Sequence, residues 1–227
     1  MGKSVAIAPQ GVERDPMDSK RKGRDLIARH GETVFNAARR LQGDHPHTPL
    51  TRAGFAQADE IGGALRDLLG VRPALTLWSS PSGRALQTLA VIAEHLQLDW
   101  HAARVDDRLV EIGMGAWGGR YYADVVGEVG PVITAEGLLR PAPDGERYDA
   151  IAARVGSWLG DTDQDAGDRL VIMHGISSRV LRGLMTGAAV HPEFAAPIAP
   201  ALPQGSVVLI EDGRESVAHL GTGHAPA

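Results

Sequence analysis

Three short apolar runs in this chain end in the same way, and that repetition constrains the fold more than any other feature. Leu26-Ile27-Ala28 leads into Arg29-His30-Gly31. Leu75-Thr76-Leu77-Trp78 leads into Ser79-Ser80-Pro81-Ser82-Gly83-Arg84, and Leu170-Val171-Ile172-Met173 into His174-Gly175. Apolar runs of this length, bounded by turn residues, read as buried strands. Each delivers an arginine or a histidine at its carboxyl end, the end where open α/β sheets bind their ligands. Glycine beside the histidines lets the backbone turn sharply and approach a guest closely. Three such ends describe a cup for an anion, and a phosphoryl group is its natural occupant.

The segments between these runs have helical periodicity. Thr51 caps a helix reaching about Leu69, with Phe55, Ala58, Ile61, Leu65 and Leu68 toward the sheet. Ser80 and Pro81 form an N-cap and first-turn pair for a helix to about Leu96. That places Arg84 in a first turn, beside backbone amides that also favour anions. A third helix follows Gly145, with Ile151, Val155, Trp158 and Leu159 as its apolar side, and a fourth runs from about Ser177 to Met185. Ser206–Glu211, Asp212-Gly213 and Glu215–Leu220 read as a closing hairpin. Strands alternating with helices predict a three-layer α/β/α domain, with a mainly parallel sheet and an antiparallel edge strand. Residues 117–143 read as an inserted cap over the site. Residues 1–23, rich in charge with Pro16 and Gly23, read as a flexible extension, or else as an arm docking on a second copy in a homodimer. Residues 24–227 then form one catalytic domain.

Bulk properties narrow the function. A net charge of −5 over 227 residues gives no general pull toward nucleic acid or an anionic membrane. No stretch approaches the ~20 apolar residues of a membrane span, and the N-terminus lacks the apolar core of a secretory signal. There is no cysteine, so disulfides and thiolate metal sites are excluded. These features fit a cytoplasmic enzyme. His45 and His47 invite a metal reading, but no partner carboxylate completes a set.

The chemistry follows from the residue types. Phosphate monoesters hydrolyse slowly because the dianion repels nucleophiles. Catalysis must neutralise the phosphoryl oxygens, align attacking and leaving atoms, and protonate the departing alkoxide. Arg29, Arg84 and His174 suit the first task, since guanidinium forks match phosphate oxygens and stay charged. His30 suits attack through one ring nitrogen, forming phosphohistidine, if its other N–H is held by an acceptor such as a backbone carbonyl.

Arg29-His30-Gly31-Glu32-Thr33, followed by Asn36, Arg40, Gln42 and Gly43, resembles the signature of the histidine phosphatase superfamily, whose best-known branch is the cofactor-dependent phosphoglycerate mutases. The likeness continues through Pro49-Leu50-Thr51, Ser79-Ser80-Pro81 with Arg84, Leu109 and Glu111, Gly145-Glu146, and His174-Gly175. It covers the chain from about Asp25 to His219. The resemblance implies a phosphoglycerate mutase-like fold, no cofactor, no metal, and a small phosphate monoester as the substrate. It implies that Glu111 is the proton donor and that Asn36 donates a hydrogen bond to the phosphate. Glu32, Asp106 and Asp107 are the competing carboxylates.

Two departures bear on substrate: Gly118 stands where the family often has an acid, and Arg147 where many members have serine. The matching segment at Gly205-Ser206 lacks the family's asparagine. The short ending 221–227 and the stretch after Glu111 favour a metal-independent phosphatase over a mutase, which must shield phosphohistidine from water. The mutase remains the nearer alternative. A phosphate-binding module without turnover is the more distant one, since binding alone needs neither acid nor nucleophile.

Overall fold

The computed structural model describes residues 21–223. The first strand, Asp25–Arg29 (β1), is buried on both faces. Leu26 and Ala28 enter one apolar cluster and Ile27 the other, as strand alternation requires. Leu75–Ser79 (β2), Arg104–Val105 (β3) and Asp168–Met173 (β4) run parallel to it in the order β3-β2-β4-β1. A hairpin of Val207–Glu211 (β5) and Arg214–His219 (β6) completes that edge, with β5 antiparallel to β1. The antiparallel strand is therefore one place in from the edge, and β6 is outermost.

Helices cover both faces. Arg52–Leu69 (an 18-residue helix) and Gly83–Leu96 pack Ile61, Leu65, Leu89 and Ile92 against Leu26, Leu77 and Leu170. On the other face, Tyr148–Asp161 and Gly175–Thr186 pack Ile151, Val155, Trp158 and Val180 against Ile27, Val171 and Met173. With the four-residue turn of helix at Val34–Ala37 (α1) and Tyr122–Val129 (α4), these are α2 (Arg52–Leu69), α3 (Gly83–Leu96), α5 (Tyr148–Asp161) and α6 (Gly175–Thr186) in chain order. Among the described residues no helix is long and apolar enough to cross a membrane.

Two local expectations are corrected. Phe55 and Leu68 are 44% and 49% exposed. In their place Gly54, Gln57 and Gly62 join Ala58, Ile61 and Leu65 on the buried face of α2. The small residues let this helix approach so closely that the apolar stripe narrows. Helix α3 begins at Ser82, not Ser80, and Ser82 makes no side-chain cap bond. Ser80 is engaged elsewhere, as described below.

Segment 117–143 carries α4 and an Ile133–Leu139 bridge, and its Val125, Val132, Leu138 and Leu139 belong to the α5/α6-side core. It meets the loop after α1 through Leu41 N–H to Arg120 O (2.9 Å) and Gly119 N–H to Leu41 O (2.7 Å). Residues 1–20 of the stretch read as an extension lie outside the described residues. Arg21 donates to Asp25 Oδ1 (2.8 Å) and to the Arg24 carbonyl (3.0 Å), at the end of the sheet away from the strand carboxyl termini.

The start of α2 is jammed against the turn after β1. A Cβ on Gly54 would lie 2.0 Å from Glu32 O, and one on Gly31 would lie 2.2 Å from Gly54 O. Gly63, in the same helix, has nothing within 4 Å of its Cβ direction. Gly54→Ala is therefore expected to destabilise the fold by about 1–3 kcal/mol through backbone collision. Gly63→Ala should stabilise it by up to about 1 kcal/mol through helix propensity. Urea denaturation of the two variants checks the opposite signs.

Candidate active site

The carboxyl ends of β1, β2 and β4 bring Arg29, His30, Arg84 and His174 together. Hydrogen bonding of consecutive strand ends sets the positions. His30 N–H donates to Met173 O (3.0 Å) and Ser80 N–H to Ile172 O (3.0 Å), so each loop leaves the sheet at the same level. The His30 and His174 rings meet edge to face at 5.1 Å between centroids. Both rings are buried, at 2% and 0% exposure.

Arg84 lies between them. Its Nε–H points at His30 Nε2 (3.2 Å) and at His174 Nδ1 (3.3 Å). Its Nη1 donates to His45 O (2.6 Å) and Thr48 Oγ1 (3.1 Å), and its Nη2 to Gly43 O (2.8 Å). The guanidinium is fully buried. Burial lowers its pKa to about 10, with the charge of Glu111 opposing. Arg29 is lowered to about 10 in the same way, again opposed by Glu111. Both remain cations at neutral pH.

These bonds fix the histidine tautomers. His30 Nδ1 sits 2.7 Å from Gly31 O, an acceptor only, so Nδ1 carries the proton and Nε2 presents a lone pair. The acceptor is a backbone carbonyl, as expected for a neutral, oriented imidazole. His174 is the mirror case. Nδ1 accepts from Arg84, so Nε2 donates to Ser80 Oγ at 2.8 Å. Ser80 thus orients His174, and its Oγ also accepts the N–H of Ser82 (3.3 Å) just before α3. Burial, then Arg84 and Arg29, hold His30 well below the ordinary 6.5, with the Gly31 bond opposing. Burial and then Arg84 depress His174 likewise.

Glu111 follows a 3-10 turn at Asp107–Leu109 and is nearly buried. Its Oε2 accepts from Ile176 N–H (3.0 Å), and its Oε1 from Ser177 N–H (2.9 Å) and Ile112 N–H (3.0 Å). It thereby caps α6 from outside, where His174, the residue at the cap position, makes no side-chain cap bond. Arg154 braces the backbone behind it, pairing with Glu146 at 2.7 Å and reaching Arg108 O at 2.6 Å. The competing carboxylates are otherwise engaged. Asp106 pairs with Arg108 (2.8 Å), Glu32 accepts from Thr51 Oγ1 (2.6 Å), and Asp107 is exposed.

Asn36 sits in α1 inside a capping box with Thr33. Its Oδ1 accepts from Thr33 N–H (3.0 Å) and Gln204 Nε2 (2.9 Å), which leaves Nδ2 as the end of the amide able to donate. Arg120, Arg140 and Arg147 pair with Glu128, Glu193 and Asp149 on the surface. Trp117 is core, and Tyr121 is 49% exposed. Among the described residues, no three His, Asp or Glu side chains gather as a metal-holding group. Nothing in the sequence marks Thr48, or the carbonyls of Gly43 and His45, as partners of Arg84. Backbone acceptors carry no residue signature, and Thr48 stands just before the Pro49-Leu50-Thr51 motif without being part of it.

A buried cation flanked by two neutral imidazoles and a carboxylate, at the ligand-binding edge of an α/β sheet, defines a phosphoryl-handling site. The chain belongs to the histidine phosphatase superfamily (branch 1), whose sequence model matches residues 26–222. Among curated relatives it is similar to a protein named "Probable phosphoglycerate mutase GpmB" from Enterobacter sp. (strain 638), at 32% identity over 178 residues, 74% of this chain and 76% of that one. Among solved structures it superposes on the alpha-ribazole phosphatase from Shigella flexneri with a TM-score of 0.67 at 22% identity, covering 88% of this chain and 96% of that one. It also superposes on the mycobacterial glucosyl-3-phosphoglycerate phosphatase with a TM-score of 0.65 at 21% identity, covering 87% and 98%.

The depressed histidines have a thermodynamic consequence. Their folded pKa values lie below the unfolded 6.5, so below about pH 6.5 the unfolded chain binds protons that the folded one refuses. Their contribution to stability is complete above that pH and is lost as pH falls, with a slope approaching about 1.4 kcal/mol per pH unit for each histidine. Urea denaturation from about pH 7.5 down to 5 should show the decline. His30→Gln should remove about half of the part due to the two histidines.

Proposed function

We propose that this protein is a phosphomonoester hydrolase that acts through phosphohistidine on a small phosphorylated metabolite in the cytoplasm, without a metal ion. The observation that carries the reading is the tautomer of His30. Its Nδ1–H is held by Gly31 O and its Nε2 lone pair is aimed at the Arg84 guanidinium, beside which phosphorus would lie with its oxygens on the arginine.

In the resting site Arg84 Nε–H occupies the Nε2 lone pair. An arriving phosphoryl group draws the N–H groups of Arg84 and Arg29 onto its oxygens and frees that lone pair. The bound monoester monoanion first passes its proton to Glu111; His30 Nε2 then bonds to phosphorus as the ester P–O bond breaks, and the departing oxygen takes that proton. Oε2 of Glu111 accepts one backbone N–H where Oε1 accepts two, so Oε2 has the spare capacity to carry that proton. Water next gives a proton to Glu111 and attacks phosphorus. The P–N bond breaks, phosphate leaves, and His30 is neutral again. Asn36 Nδ2 and the two guanidinium groups stabilise the charge that spreads over the transferring oxygens.

Turnover of an aryl phosphate should persist in EDTA and vanish in His30→Ala, with acid-labile phosphate trapped on the wild-type protein only. Arg84→Ala should lower kcat by about 10²–10³. Glu111→Gln should slow poor leaving groups far more than good ones, and equal losses would make Glu111 positional. Failure to turn over any of a broad monoester panel would favour a binding module. The names of the curated relatives favour a second reading, a mutase. It would appear as phosphate exchange between glycerate positions outpacing release of inorganic phosphate.

A further inference from the structure

One buried polar side chain reaches into the site from the far end of the chain. Gln204 is 1% exposed and lies in the loop before β5. Its Nε2 donates to Asn36 Oδ1 at 2.9 Å and to Gly31 O at 3.2 Å. Gly31 O is the carbonyl that holds the His30 Nδ1–H at 2.7 Å. A carbonyl has two lone pairs and accommodates both donors. A single amide group thus uses its two hydrogens on the acceptor that sets the nucleophile's tautomer and on the oxygen that sets the Asn36 amide's orientation.

The loop itself is held in place. Gly223 N–H donates to Gln204 O at 3.2 Å, and a Cβ on Gly221 would lie 2.2 Å from the same oxygen. Gly205 adopts φ +82°, which turns the chain from Gln204 directly into β5. The side chain therefore enters the site from a rigid base.

We propose that Gln204 is a positioning residue. It keeps Asn36 turned with Nδ2 toward the phosphoryl position and keeps Gly31 O in line with His30 Nδ1–H. A methionine at this position would fill the same space with no donor, and a glutamate would set an acceptor against two acceptors. The inference rests on the reading of His30 as nucleophile and Asn36 as phosphate ligand, and deepens it.

The test uses Gln204→Met, Asn36→Ala and the double variant of the full chain, with a generic aryl phosphate. Gln204→Met is expected to lower kcat/KM about tenfold. In the Asn36→Ala background the same change should cost about threefold or less, because only the part that runs through Gly31 O and His30 remains. The ¹⁵N spectrum of the resting protein should show His30 as a single Nδ1–H tautomer, and Gln204→Met should convert it to a mixture. Support requires both results. A full tenfold loss persisting without Asn36, or an unaltered His30 spectrum, overturns the proposal and leaves Gln204 a packing residue. Gln204→Glu, isosteric and polar, gives the same two readouts with a larger kinetic loss should the methionine variant fail to fold. His30→Ala retaining activity would instead strike the functional reading, and the ¹⁵N measurement, which needs no substrate, separates that failure from this one.

Discussion

The structure around the site depends on keeping one guanidinium charged while it is buried. Arg84 is fully buried and has no carboxylate in direct contact. Leaving such a group unsatisfied would be costly. The chain meets the cost with dipoles: two backbone carbonyls from the loop at Gly43–His45, the Thr48 hydroxyl, and two imidazole lone pairs. Each commitment restricts something else. The loop 43–48 must fold over α3, both histidines must be neutral, and each must take a particular tautomer. The resting site is thus an arginine solvated by protein, ready to exchange part of that solvation for a phosphoryl oxygen.

Glu111 is subject to the same economy. Its three backbone partners tie a potential proton carrier to the first turn of α6, which also follows His174 directly. His30, Arg84, His174 and Glu111 therefore hang from three adjacent strand ends and one helix start, with no long loop between them and the sheet. Sites built on such elements are more precise than sites built on mobile loops.

What the sequence disclosed, and what it hid, follows the range of the interactions. The apolar runs ending in Arg-His-Gly and His-Gly were legible because strand burial and strand-end chemistry are both local patterns. The helices were legible from their periodicity. Phe55 and Leu68 misled because they keep helical spacing with Ala58 and Leu65, while the true limit was set by Gly54 meeting the Glu32 carbonyl. Ser80 before Pro81 looked like a helix cap, and its hydroxyl does accept the N–H of Ser82 just before α3, but only three-dimensional proximity discloses its bond with His174. Partners of Arg84 that are backbone carbonyls have no letter of their own. Gln204, over 160 positions from Asn36, was visible only as a place where the family's asparagine was missing.

The return of the chain past β6 has a practical side. Gly221 and Gly223 rest on the backbone of Gln204, and Gly221 N–H also donates to Ser206 Oγ at 3.0 Å. A purification handle or reporter fused just after Gly223 would start within a few residues of the amide that touches Gly31 O, the carbonyl holding the His30 ring.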